Sequence, residues 1–166
     1  MSGYSKEEVQ DIMLHYGDMV YRLAFIKMKT RPNADDVYQE VFLKLIKQTK
    51  KHENPEHLRY WLIKTTINCC KDTWKSFWNK NIILTEDDLN TEAANDNSLS
   101  YVSNCVLKLP EKYREVIHLY YFEGYSIREI SAILKRSENT VSSQLSRGRA
   151  LLKKMFISER GFDYEF

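Results

Sequence analysis

Apolar residues recur at helical spacing along most of this chain, punctuated by capping and breaking residues. Ser5 with Glu8 forms a capping box that opens a helix whose apolar positions are Val9, Ile12, Met13, Tyr16, Val20, Leu23 and Ile26. The pattern predicts its end near Lys29, because Thr30 precedes Arg31-Pro32-Asn33. Asn33 is the expected N-cap of a second helix, with Asp35 and Asp36 in the first turn complementing its dipole. Ala34, Val37, Tyr38, Val41, Phe42, Leu45 and Ile46 give that helix a wide apolar stripe. Asn54-Pro55, an N-cap followed by proline at the first helical position, predicts a third helix through about Trp78. Leu58, Trp61, Leu62, Thr65 and Cys69 share one side of it, with Trp61 expected in the core.

From Thr85 to Ser100 the periodicity stops, and TEDDLNTEAANDNSLS has the acidic, small-residue composition of a linker. Val102 to Leu109 reads as a helix that Leu109-Pro110 ends. Glu111 to Phe122 reads as the next, burying Tyr113, Val116, Ile117 and Tyr120, and Glu123-Gly124 is a turn. The expected fold is therefore all-α, with two small helical domains, residues 1–80 and 101–158. An acidic linker, 81–100, joins them, and a tail, 159–166, follows.

Tyr125 to Leu152, YSIREISAILKRSENTVSSQLSRGRALL, carries the most chemistry. A second capping box, Ser126 with Glu129, starts one short helix with Ile127, Ile130, Ile133 and Leu134 on its apolar face. Lys135 and Arg136 interrupt that face, and Ser137 caps a second helix buried through Val141, Leu145 and Leu152. Asn139, Ser142, Ser143, Gln144, Arg147 and Arg149 are left to solvent. Short hydrogen-bonding side chains followed by guanidinium groups suit a helix lying in a major groove. A helical hairpin with a merely wetted outer face would show the same apolar spacing.

Composition narrows the classes further. Apolar residues make up 43% of 166, with five glycines and three prolines, which disfavours an all-β or low-complexity chain. No apolar run approaches the roughly 20 residues that span a bilayer. The start, MSGYSKEEVQ, has no apolar signal core, so a cytoplasmic location is expected. Cys69, Cys70 and Cys105 lack metal-ligand spacing and read as small buried hydrophobes; His15, His52, His57 and His118 are scattered. No metal or other cofactor is expected. The net charge of +2 conceals a pattern. Residues 1–80 carry 14 Lys/Arg against 10 Asp/Glu, residues 81–100 none against five, and residues 101–166 carry 11 against eight. Two basic blocks flanking an acidic stretch attract polyanions more than the total suggests.

Three segments carry a family resemblance. Asn33 to Leu45, NADDVYQEVFLKL, resembles the D-A-E-D-L-V-Q-E-V-F-L-K-L signature of bacterial sigma factors. Leu58 to Asp72, LRYWLIKTTINCCKD, is similar to the F-x-x-W-L-x-x-I-A-x-N-x-x-x-D stretch that follows it, and LPEKYRE (Leu109 to Glu115) precedes the helix-turn-helix. Their order and spacing resemble the two-domain extracytoplasmic-function sigma factors of the sigma-70 family. The resemblance implies a non-enzymatic subunit that binds core RNA polymerase, reads the −35 promoter element with its C-terminal domain and opens the −10 element with its N-terminal one.

By that resemblance, Asp36, Gln39, Glu40 and Leu43 contact core polymerase. By family position Asn68 and Lys71 contact the −10 strand, and Tyr60, Lys64, Trp74 and Lys75 of the same helix join them because aromatics interleaved with lysines suit an unpaired strand. The loop Lys51 to His57 would shape a pocket for an extruded base. Asn139, Thr140, Ser142, Ser143, Gln144, Arg147 and Arg149 would contact the −35 duplex, with glutamine suited to adenine. The family usually has basic residues where this chain has Ser142 and Gln144, which leaves phosphate contact mainly to Arg147, Arg149, Lys153 and Lys154. The acidic linker would thread a positively lined polymerase channel. A further implied partner is an anti-sigma factor, in some cases membrane-bound; no small-molecule substrate is implied.

The absence of a glycine-rich phosphate loop, a nucleophile–base pairing or metal spacing disfavours an enzyme. The alternative is a stand-alone helix-turn-helix regulator whose N-terminal half dimerises or senses. Such a half has no reason to carry DDVYQEVFLKL followed by an aromatic and basic helix. A helical adaptor that binds only protein would show no salt-sensitive affinity for DNA.

Overall fold

In the computed structural model, which describes residues 3–79 and 101–160, the regular structure is helical. The chain divides into two compact units, Met1–Glu92 and Ala93–Phe166. The expectations for the linker and for most of the tail fall outside the described residues, as does the Trp78 side chain.

The first unit is a bundle of α1 (Lys6–Met28), α2 (Arg31–Ile46) and α3 (Pro55–Asn79), each packed on the other two. Both halves of the Ser5–Glu8 capping box form. α1 closes at Lys29, a left-handed residue at φ 65° whose amide donates to the Phe25 carbonyl. Val20, Leu23 and Ala24 of α1 meet Val37, Val41 and Leu45 of α2 and Leu62, Ile63 and Ile67 of α3 in the core. Asn54 caps α3 as expected, its Oδ1 accepting from the His57 amide at 2.9 Å.

The start of α2 corrects the sequence reading. The helix begins at Arg31 with extended Thr30 as its N-cap, so Asn33 is inside the first turn and caps nothing. Asp35 and Asp36 consequently lie beyond that turn. Pro32 explains the shift: its fixed φ suits a helix start, and its missing N–H is one the first turn leaves unpaired anyway. Ile46 also departs from expectation, standing 55% exposed in the last turn of α2. Trp61 is half-buried, whereas its neighbour Leu62 is fully enclosed.

The second unit comprises α4 (Tyr101–Leu107), α5 (Glu111–Ile117), a π-helical turn (His118–Phe122), α6 (Ile127–Leu134) and α7 (Glu138–Arg160). Its core joins Cys105, Val116, Leu119, Ile130, Val141, Leu145, Leu152 and Phe156. The single helix expected over Glu111–Phe122 is interrupted, because the Glu123 amide donates to the His118 carbonyl five residues back. That wider turn returns the Glu123 carboxylate to His118 Nε2 at 3.0 Å, with both side chains buried. Gly124 leaves the turn at φ +76°, a conformation that side chains disfavour. Tyr113 and Tyr120, expected in the core, are half-buried. All three cysteines are buried thiols, and burial pushes the Cys69 thiol's pKa upward, which fits their reading as small hydrophobes.

Candidate nucleic-acid interface

The helix-turn-helix forms as its caps dictate. Ser126 and Glu129 complete the second capping box, and Lys135 adopts the left-handed conformation at φ 55° that reverses the chain. Ser137 then accepts from the Thr140 amide at 3.1 Å to start α7. Val141 and Leu145 anchor α7 inward, so Asn139, Thr140, Ser143 and Arg147 face outward along one line.

With Gln144 they border a shallow depression of about 320 Å³, whose far side is Lys112 and Tyr113 of α5. Those last two were missed in the sequence, since nothing local marks α5 as a neighbour of the α7 start. Ser142 and Arg149 are not part of this group. Ser142 is exposed but borders no part of the depression, and Arg149 is half-buried, donating to the Tyr121 hydroxyl at 3.3 Å. Gln144 is not free to solvent either: it is half-buried, and its Oε1 accepts from Arg136 Nη1 at 2.9 Å. The other guanidinium nitrogen of Arg136 is paired with the buried carboxylate of Glu115.

In the first unit, Tyr60, Lys64, Asn68, Lys71 and Lys75 fall on one stripe of α3, opposite Leu62 and Thr66. Lys64 Nζ lies 5.5 Å from the Tyr60 ring centre, so cation and aromatic are already associated. Trp74 is half-buried at the shoulder of this stripe. At the α2–α3 connection an open cavity of about 480 Å³ is lined by Lys44, Lys47, Gln48, Thr49, Lys50 and Trp61. This cavity borders the loop one step earlier than the expected Lys51–His57.

Lys51 and His52 instead engage the N-terminal segment. Lys51 Nζ pairs with Glu8 at 2.5 Å and holds that carboxyl below its ordinary value. The Tyr4 hydroxyl accepts from the His52 amide and also bonds its Nδ1, both at 2.8 Å. The His52 ring lies 5.2 Å from Trp61, and burial, aided by the charge of His57, lowers its pKa.

On α2, Asp36, Gln39, Glu40 and Leu43 are all exposed and share one face. Leu43 is 53% exposed, and Ile46 extends this apolar element by one turn. The exposed Glu40–Lys44 pair, at 3.9 Å, adds little stability. An acidic surface with two uncovered aliphatic side chains is poorly explained as solvated helix alone.

Two family models match these units. Residues 12–79 match Sigma-70 region 2, and residues 99–152 match Sigma-70, region 4. The chain belongs to the sigma-70 family. Its relatives place it among the extracytoplasmic-function members. It is 27% identical to the RNA polymerase sigma factor SigV of Bacillus subtilis over 84% of this chain and 85% of that protein. It is also 27% identical to the extracytoplasmic-function sigma factor SigW of Bacillus subtilis, over 87% and 86%.

Two solved complexes contain chains that share its fold. One is CnrH with the cytosolic domain of CnrY, at TM-score 0.67 and 22% identity, covering 93% of this chain and 91% of the other. The second is RpoE with the anti-sigma factor NepR from Bartonella quintana, at TM-score 0.64 and 18% identity, covering 94% and 100%. The chain is an RNA polymerase sigma factor, and the stand-alone regulator is not favoured.

Proposed function

We propose that this sigma factor divides promoter recognition between its two units and docks on core polymerase through α2. The α7 residues Asn139, Thr140, Ser143 and Gln144 read base edges of the −35 duplex, and Arg147 binds its phosphates. Ser142 and Arg149, on the flank of the helix, meet the backbone. Tyr60, Lys64, Asn68, Lys71, Trp74 and Lys75 of α3 hold the melted −10 strand, with the cavity beside Trp61 available to an unstacked base. Asp36, Gln39, Glu40 and Leu43 form the polymerase contact.

The observation that carries this reading is the α3 stripe, which places the Tyr60 ring, the Asn68 amide and the cations of Lys64, Lys71 and Lys75 on one face. Stacking a base on an aromatic contributes about 1–3 kcal/mol, comparable with the few kcal/mol needed to unstack one from a duplex. Capture can therefore drive opening without ATP once the polymerase interface adds its share. The chain acts as a specificity subunit and has no catalytic step of its own, and its place of action is the cytoplasm. Among the described residues no helix is long and apolar enough to cross a membrane.

Partners follow from the same surfaces. CnrH is seen with the cytosolic domain of CnrY and RpoE with the anti-sigma factor NepR, and a protein of the anti-sigma kind would compete here for the α2 face. The segment 81–100, five acids and no base, enters the cationic polymerase channel as a nucleic-acid mimic. Reversing Asp87 and Asp88 to lysine should reduce initiation while leaving polymerase binding intact; unchanged transcript yield would remove the linker from the mechanism. The decisive test of the whole reading is transcription in vitro by bacterial core polymerase on a genomic fragment library, with and without this protein. Discrete new start sites are expected, and failure of the protein to associate with core polymerase would overturn it.

A further inference from the structure

The connection between α2 and α3, residues 47–54, has no helix of its own, yet the segment leading into α1 holds it at three points. Gly3 lies so close to the Gln48 carbonyl that a Cβ on it would stand 2.6 Å from that oxygen. The Tyr4 hydroxyl holds His52 twice, at the backbone amide and at ring Nδ1, both at 2.8 Å. One hydroxyl, with a single proton and two acceptor sites, can make both bonds at once. Glu8 takes Lys51 Nζ at 2.5 Å, and this exposed pair adds the least of the three. His52 carries the contact on to α3, its ring lying 6.1 Å from that of Tyr4 and 5.2 Å from that of Trp61. The same connection supplies Gln48, Thr49 and Lys50 to the cavity of about 480 Å³ that Trp61 also lines.

Resting on the reading of that cavity as the seat of an unstacked −10 base, we infer that residues 3–8 form a strap fixing one wall of the base pocket, with Gly3 and Tyr4 as its positioning residues. Ordering loop backbone costs conformational entropy. A wall left loose would be ordered only when the strand arrives, and binding would be weaker by that amount. The strap meets this cost during folding. Gly3 sets the height of Gln48 and Thr49, while Tyr4 sets His52, which in turn backs the Trp61 ring. Gly3 and Tyr4 are not among the residues that line the cavity, so they act on a base through the connection. The cations of α3 are carried by the helix itself and hold the strand whether or not the strap is closed. Base preference at one position therefore depends on a hydroxyl 48 positions upstream of His52, whereas general strand affinity does not.

The test uses full-length protein with core polymerase and a promoter library randomised across the −10 element, scored by transcript sequencing. Trp61→Leu should flatten the preference at one position and so identify the pocket. Tyr4→Phe deletes both hydroxyl bonds and keeps the ring. Gly3→Ala forces the strap off the Gln48 carbonyl without removing a polar group. Tyr4→Phe should lower the preference at the Trp61-dependent position by about three- to tenfold, the scale of one net hydrogen bond. Gly3→Ala should lower it at the same position. Both variants should keep the wild-type preference elsewhere in the −10 element and the wild-type affinity for core polymerase. Wild-type preference at the Trp61-dependent position in either variant would overturn the inference. So would an equal loss at every −10 position, the result expected if the contacts merely stabilise the bundle. If Trp61→Leu flattens no position, the pocket reading fails and the strap inference with it; a position that depends on Trp61 but not on Gly3 or Tyr4 overturns the strap alone.

Discussion

Glu115 is a carboxylate enclosed by the second unit and paired with Arg136, whose side chain is 26% exposed. Removing one partner of a buried pair costs about 3–5 kcal/mol, and the partial exposure of Arg136 puts this case near or below the lower end. Arg136→Met should therefore lower chemical-denaturant stability by roughly 2–3 kcal/mol, whereas E115M/R136M should stay within about 1 kcal/mol of wild type. Equal losses in both variants would show that the charges are not coupled. A second residue-scale prediction concerns His52. Burial holds its folded pKa below the ordinary 6.5, so the unfolded chain binds the proton more readily. The stability from the Tyr4–His52 bond is thus fully present above about pH 6.5 and is lost as pH falls through the folded value. The unfolding midpoint of wild type should fall more steeply between pH 7 and pH 5 than that of His52→Gln, and parallel curves would dismiss the effect. The identities of these residues were legible in the sequence, but their pairings were not. Tyr4 with His52, 48 positions apart, and Glu115 with Arg136, 21 apart, are long-range bonds that no periodicity encodes.

At the scale of elements, local chemistry predicted most of what formed, because caps and apolar spacing act within one turn of the chain. Both capping boxes and the Asn54 cap arose where Ser5, Ser126 and Asn54 demanded them. The α2 start was misread because two good signals, Asn33 and Pro32, lie side by side, and proline's rigid φ decided between them. The π-helical turn was illegible for a different reason: it depends on the burial of the His118–Glu123 pair, which only the folded unit supplies. Gly148 is a similar case. A glycine inside a helix weakens it by propensity, yet a Cβ at this position would lie 2.9 Å from Ile117 Cγ1 and 3.4 Å from Tyr113 Cβ. Alanine would gain about 1 kcal/mol of helix propensity but overpack fully buried Ile117, at a typical cost of 1–3 kcal/mol. The steric effect should win. Gly148→Ala is expected to lower the unfolding midpoint by roughly 5 °C and, by pushing α5 from α7, to weaken −35 recognition. A raised midpoint would mean that the two helices have slack.

At the scale of the molecule, charge decides how the units must cooperate. Both faces proposed to meet DNA are cationic but sparsely so, and on α7 Gln144 is bound to Arg136 while Arg149 leans on Tyr121. If Arg147, Arg149, Lys153 and Lys154 all meet phosphates, affinity varies with salt at a logarithmic slope of about −3.6. Raising salt from 50 to 200 mM would then weaken binding roughly 100-fold, leaving the free protein near the ~10⁻⁴–10⁻⁶ M typical of non-specific binding. Docking on polymerase changes this without any new contact to DNA. Holding both units near one promoter makes the second engagement intramolecular, and avidity can exceed either affinity by about 10²–10⁴-fold. Fluorescence anisotropy with a promoter duplex at physiological salt should accordingly show weak, salt-sensitive binding by the isolated protein and tight, sequence-specific binding by its complex with core polymerase. Arg147→Ala should reduce the salt slope by about 0.9 in both settings. Nanomolar, sequence-specific binding by the isolated chain would mean that α7 reads its site unaided, and the division of labour between the two units would have to be abandoned.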